Sequence, residues 1–238
     1  MVGNDVVDLS DPESSRDACH SRFDRRVFTP EEFEARSTDH TDVQWRWILW
    51  SAKEAAYKAA RRECAGVRFS PARFVVELDR SLCGSVRVGL RRWPVRVRID
   101  GNCVHAVVIA NESFASTLSG SRRLTTAELR DPSQGIRRFA IASIAAGLGV
   151  STSDLGIEKA SRIPQLIVAG EAAPVALSLS HHGSYVGFAC HDSRFERLGQ
   201  ISQLIVSGEA APIAASFSHS DSHPGFAYRP AAQQSGLH

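Results

Sequence analysis

The hydrophobic pattern of the chain changes period near Phe69, and that change sets the fold class. Before it, from about Asp42 to about Glu63, apolar residues including Trp47 and Trp50 recur at helical spacing. After it, from Phe69 to Ala110, short runs alternate apolar with polar residues, as in Phe74-Val75-Val76-Glu77-Leu78, Val95-Arg96-Val97-Arg98-Ile99 and Val104-His105-Ala106-Val107-Val108. Gly and Pro punctuate these runs, which predicts antiparallel strands. Two helix starts precede the change. Thr29-Pro30-Glu31-Glu32 has the form of a capping box with proline at the first helical position, and Thr41-Asp42-Val43-Gln44 offers a second box before the long helix.

The second half repeats this logic. The stretch from Asn111 to Asp131, rich in Ser, Thr and Arg, reads as a connector. Ser133 is placed to cap a helix carrying Ile136, Phe139, Ala140, Ile144 and Leu148 on one face, with Gly149 near its end. Strands are predicted at Leu155 to Lys159, Val175 to Ser180 and Tyr185 to Cys190. The expected fold is α+β, with two pseudo-symmetric lobes that each pack a helix on a small antiparallel sheet. The expected boundaries are residues 1–112 and 113–190, followed by a partial repeat and tail at 191–238. In that repeat, positions 163–190 align with 201–228 at an offset of 38, with 18 of 28 residues identical. The second copy has Asp221 in place of Gly183 and Pro224 in place of Val186, so the first copy is expected to be the working one.

At 238 residues and 43% hydrophobic content the chain is long enough to bury a sizeable core. A net charge of +2 gives no case for a nucleic-acid partner. The five cysteines, at positions 19, 64, 83, 103 and 190, contain no CxxC pair and fit reduced, structural thiols. Neither a basic-then-apolar leader nor a run long enough to span a membrane is expected, so the cytoplasm is the default location. Charge is concentrated locally: residues 61–100 hold ten arginines against four acids, a surface suited to an acidic partner.

Three short runs carry the chemistry. They are VGNDVVDL at 2–9, WSAKEAAYK at 50–58 and SLSHHG at 178–183. Taken alone, Glu54 and Lys58 would form a surface ion pair four residues apart on a helix, and Asp5 would be a solvated acid. Ser180 and His181 would be an ordinary strand pair; a Ser/His nucleophile is a rival interpretation, but the GxSxG elbow and an acidic orienter are missing.

Together the three runs resemble the 4'-phosphopantetheinyl transferases, in roughly residues 1–190. The resemblance implies transfer of the phosphopantetheine arm of coenzyme A to a serine of an apo carrier protein, of the holo-acyl-carrier-protein synthase type. It further implies Mg2+ held by Asp5 and Glu54, and Glu54 with Lys58 as the catalytic pair. Ser180, His181, Arg162, Arg137, Arg138 and Lys53 would contact coenzyme A. Such a site needs hard oxygen ligands, because magnesium takes one or two carboxylates plus phosphate oxygens and water. Asp8 ranks behind Asp5 as a ligand because a strand turns the two to opposite faces. The motif order is reversed relative to larger members of the family, which implies permuted lobes. The alternative function is a non-catalytic module that binds coenzyme A or a carrier protein on the same fold.

Overall fold

The computed structural model describes residues 1–15, 22–110, 114–161 and 163–192. The chain opens with strand β1 (Val2–Asp8), followed by two short helices, α1 (Phe23–Val27) and α2 (Pro30–Glu34). Both predicted capping boxes form. In α2 the Thr29 side chain accepts from Glu32 N while the Glu32 carboxylate accepts from Thr29 N; Thr41 and Gln44 do the same for the long helix α3 (Asp42–Glu63). Four strands then complete the first sheet: β2 (Val75–Leu78), β3 (Cys83–Val88), β4 (Arg91–Asp100) and β5 (Cys103–Ile109). The order is β1-β5-β4-β3-β2, antiparallel throughout.

Helix α3 lays Ile48, Leu49, Ala52, Ala55, Ala56 and Ala59 against this sheet. The small residues allow β1 to approach closely. A Cβ at Gly3 would stand 2.0 Å from the Ala55 carbonyl oxygen, so only glycine fits there. Side chains alternate along β1: Gly3, Asp5 and Val7 face α3, whereas Asn4, Val6 and Asp8 face the second half of the molecule.

The second half contains β6 (Thr117–Arg123), α4 (Pro132–Leu148), β7 (Leu155–Ala160), β8 (Ile163–Val168), β9 (Glu171–Ala172), β10 (Ala176–His182) and β11 (Tyr185–His191). They form two three-stranded sheets, β10-β11-β6 and β7-β8-β9. The molecule is therefore α+β, and the halves share a topology. In each, the first strand pairs with the last and the last pairs with the strand before it, with the long helix packed on the sheet. A small apolar cluster of Val2, Val107, Ile109 and Ala189 joins the halves. Among the described residues no helix is long and apolar enough to cross a membrane.

The structure corrects two local expectations. The stretch 111–131 is not merely a connector, because it contains β6, whose Leu118 and Gly120 turn into the second core. Serine and threonine at the alternate positions hid the strand. The cap of α4 is Asp131, whose carboxylate accepts from Gln134 N at 3.0 Å, with Pro132 and not Ser133 opening the helix. Gly149 then ends α4 at φ 67°, as expected of a left-handed cap.

Lys53 requires a third correction. Expected to reach coenzyme A, it is instead fully buried (0% exposed). Its Nζ donates to both oxygens of Glu32 at 2.7 and 2.9 Å and to the carbonyls of Phe74 and Pro71. Glu32 also accepts from Val76 N, so the pair ties α2, α3 and β2 together. The position of Lys53 on the core face of α3 explains the outcome, since a buried ammonium is tolerated only when paired and fully hydrogen-bonded. Lys53→Met should cost on the order of 3–5 kcal/mol in urea unfolding, by leaving Glu32 buried and unpaired, and adding Glu32→Gln should restore at least half of that loss. Equal stability of the single and double variants would show that the pair contributes nothing as a unit.

Candidate active site

Asp5 projects from β1 toward α3, where Lys58 Nζ donates to its Oδ1 at 2.7 Å and to the Asn4 carbonyl at 3.1 Å. Glu54 lies one turn earlier on the same helix, so α3 presents an acid and a base at i, i+4 to a strand that presents a second acid. The Asp5 side chain is only 13% exposed, and burial raises its pKa against the opposing pull of Lys58. Glu54 is pushed up to about 7, first by burial and then by the charge of Asp5, again opposed by Lys58. Glu54 has no hydrogen-bond or ion-pair partner among the described residues.

Burial raises both carboxylates and the charge of Asp5 raises Glu54 further, while the one ammonium, Lys58, is bonded to Asp5, so Glu54 stands without an ion-pair partner among the described residues. That donor set fits a hard divalent cation such as Mg2+, which binds through one or two carboxylates and completes its shell with phosphate oxygens and water. Among the described residues no group of three or more His, Cys, Asp or Glu side chains is positioned to hold a metal.

The second half reaches the site through the β10–β11 hairpin. His181 keeps part of its surface in solvent, and its pKa is lowered by partial desolvation first and by Lys58, His182 and Lys159 next, with Asp5 acting in the other direction. His182 accepts a hydrogen bond at Nδ1 from Asp8 N, 3.1 Å away. Ser180, expected on the phosphates, points instead into the joint between the halves. It is 6% exposed, accepts from Asn4 Nδ2 at 2.8 Å and donates to the Gly187 carbonyl at 3.4 Å. Ser178 Oγ likewise accepts from Asn4 N. The serines of this motif therefore clamp β1, while the histidines border the site.

The remaining expected residues are dispersed. Arg138 pairs with Glu128 at 3.5 Å and with Gln134 at 2.9 Å, and Arg137 is half-buried on α4; neither contacts the carboxylate pair. Arg162 and the second copy of the repeat lie outside the described residues. Asp8 is capped by Ser10 and by Ser184 N and faces away from Asp5, as strand alternation requires. In the arginine-rich strands, Val95 and Val97 face α3, so Arg96 and Arg98 lie on the opposite face of the sheet from Glu54. There they line a groove with His105, and Arg96 stacks on Phe114. Arg87 and Arg92 pair with Glu77, and Arg91 pairs with Glu63.

Sequence reasoning left two contributors unassigned, Asn4 and His182. Both were within the quoted motifs, and the alternation of β10, which sets Ser178, Ser180 and His182 on one face, was the available signal.

Residues 1–108 match the family model described as the 4'-phosphopantetheinyl transferase superfamily. The match bears out the resemblance for the segment carrying Asp5, Glu54 and Lys58; the SLSHHG motif lies beyond it. No curated protein sequence matches the chain.

The raised pKa of Glu54 has a testable consequence in metal-free protein. Its folded pKa of about 7 lies above the ordinary value of 4.5, so the native state favours protonated Glu54. That contribution to stability is complete below pH 4.5 and is lost as pH rises through 7. Glu54→Gln, which keeps the neutral shape, should leave Tm unchanged at pH 5 and raise it at pH 8 by on the order of 5 °C. Parallel Tm profiles of the two proteins across this range would show that Glu54 is not held protonated.

Proposed function

We propose, from the membership of residues 1–108 in the 4'-phosphopantetheinyl transferase superfamily, that the protein moves 4'-phosphopantetheine from coenzyme A to a serine of an apo carrier protein. We place it with the holo-acyl-carrier-protein synthase type, in the cytoplasm. The supporting observation is the convergence of Asp5, Glu54 and Lys58 beneath the histidines of the β10–β11 hairpin.

The reaction forms a bond between the serine oxygen and the β-phosphorus of coenzyme A, and breaks the bond from that phosphorus to the oxygen retained by 3',5'-ADP. The serine proton must be taken up by a base. Glu54, held near neutrality by burial and by Asp5, has the charge state for that task or for holding a cation. Lys58 places its ammonium at Asp5, one helical turn from Glu54, where it would meet the negative charge accumulating on the leaving diphosphate oxygen. His181 adds a ring nitrogen from the opposite lobe, in reach of a phosphate spanning the two. Mg2+, when held by Asp5 and Glu54, supplies neutralisation of the diphosphate. Arg137, Arg138 and Arg162 are assigned to the nucleotide end of coenzyme A by resemblance alone.

Incubation of purified protein with coenzyme A, Mg2+ and an apo carrier protein should add the mass of one phosphopantetheine group to the carrier. Chelating the metal should stop the reaction, and Glu54→Gln should lower the rate at least about 100-fold without unfolding the protein. An unchanged carrier mass across fatty-acid, polyketide and peptide carrier types would refute the reading.

A further inference from the structure

Three side chains project from one face of β10 toward β1: Ser178, Ser180 and His182. The first two are fully engaged, Ser178 by Asn4 N and Ser180 by Asn4 Nδ2 and the Gly187 carbonyl. His182 differs. Its Nδ1 accepts from Asp8 N at 3.1 Å, and a ring that accepts at Nδ1 carries its proton on Nε2 when neutral. That Nε2–H has no hydrogen-bond partner among the described residues and is not sealed from solvent.

The ring is also held in place. The residue after it, Gly183, has φ 52°, and a Cβ there would stand 2.7 Å from carboxylate oxygens of both Asp8 and Asp11. The next amide, Ser184 N, donates to Asp8 Oδ2 at 2.9 Å. The hairpin is thus fixed to the end of β1 by two hydrogen bonds on either side of a turn that requires glycine. The ring lies close enough to Asp5 and His181 for electrostatic interaction with both. A donor with a fixed tautomer and orientation is therefore presented at the border of the carboxylate pair.

Resting on the transferase reading above, we propose that His182 is a further substrate-binding residue, whose neutral Nε2–H donates to a diphosphate oxygen of coenzyme A while Nδ1 is committed to β1. His182 thus performs two tasks with two nitrogens, and two substitutions separate them. His182→Asn keeps an acceptor where Nδ1 stood and removes the distal donor. His182→Gln keeps a donor at the distal position and gives up the near acceptor.

Coenzyme A binding would be measured by calorimetry with Mg2+ and no carrier protein, alongside Tm. His182→Asn should bind about 10–100-fold more weakly than wild type at unchanged Tm, the loss of one hydrogen bond to a charged oxygen. His182→Gln should bind within about threefold of wild type while melting at lower temperature, because the anchor to Asp8 is gone. Wild-type affinity in His182→Asn, or equal weakening in both variants, would overturn the assignment and leave His182 a structural anchor. Absence of coenzyme A binding by the wild-type protein itself would overturn the transferase reading, and this assignment with it.

Discussion

The placement of strand β1 governs everything at the candidate site. One face of β1 lies so close to α3 that Gly3 tolerates no side chain against the Ala55 carbonyl, and the same face brings Asp5 to Lys58. The other face is fastened to the second half by side chains that take up edge amides: Ser178 accepts from Asn4 N and His182 from Asp8 N. A slip of one residue would turn Asp5 away from α3 and bring Asn4 beneath Glu54, so register and function are set by the same contacts. Asn4 is fully buried, and its Oδ1 finds no partner among the described residues, which places some polar cost in this clamp. Its Nδ2 also meets His105 Nε2 at 3.3 Å, in surroundings where burial, with Arg98 and Lys58, drives the imidazole pKa down to about 3 and keeps it neutral.

The shared topology of the halves explains why this carboxylate pair has no counterpart among the described residues. Counting from the hairpin turn, Asp5 pairs with the fourth residue of β5, Ala106, and the fourth residue of β11, Phe188, pairs with Gly120. Gly120 therefore stands where Asp5 stands. A Cβ there would meet Phe139 at 3.2 Å and Phe188 at 3.3 Å, and these two rings pack edge to face at 5.3 Å. In the first half the space between strand and helix holds charge, and in the second it is filled by aromatic core. The repeat has a related asymmetry: Val186 is wholly buried in the central strand of its sheet, a position that Pro224 of the second copy could not occupy without losing a ladder hydrogen bond.

Helix starts, the long helix and the main hairpin strands were legible because capping chemistry and hydrophobic period are local. Strand β6 was not, since Thr117, Ser119 and Ser121 give it a loop-like composition and only tertiary contact with α4 draws Leu118 and Gly120 inward. At the site, Asp5, Glu54 and Lys58 were named from short motifs, and the structure brings them together. Lys53 and Ser180 were misplaced for one shared reason. Each neighbours a residue that borders the site, and a one-residue step rotates a side chain by about 100° on a helix and to the opposite face on a strand. A motif string carries residue identities without those rotations. Glu32, 21 residues from Lys53 and paired with it in the core, had no local signal at all.

The central claim is that β1 and α3 bring Asp5 and Glu54 together into one cation-competent pair. Carbon-detected NMR titration of the Glu54 side-chain carboxyl, with and without Mg2+, tests it most directly. The account predicts a midpoint of about 7 in metal-free protein, displaced to lower pH when Mg2+ is added. A midpoint at the ordinary glutamate value of 4.5 that does not move with Mg2+ would contradict it.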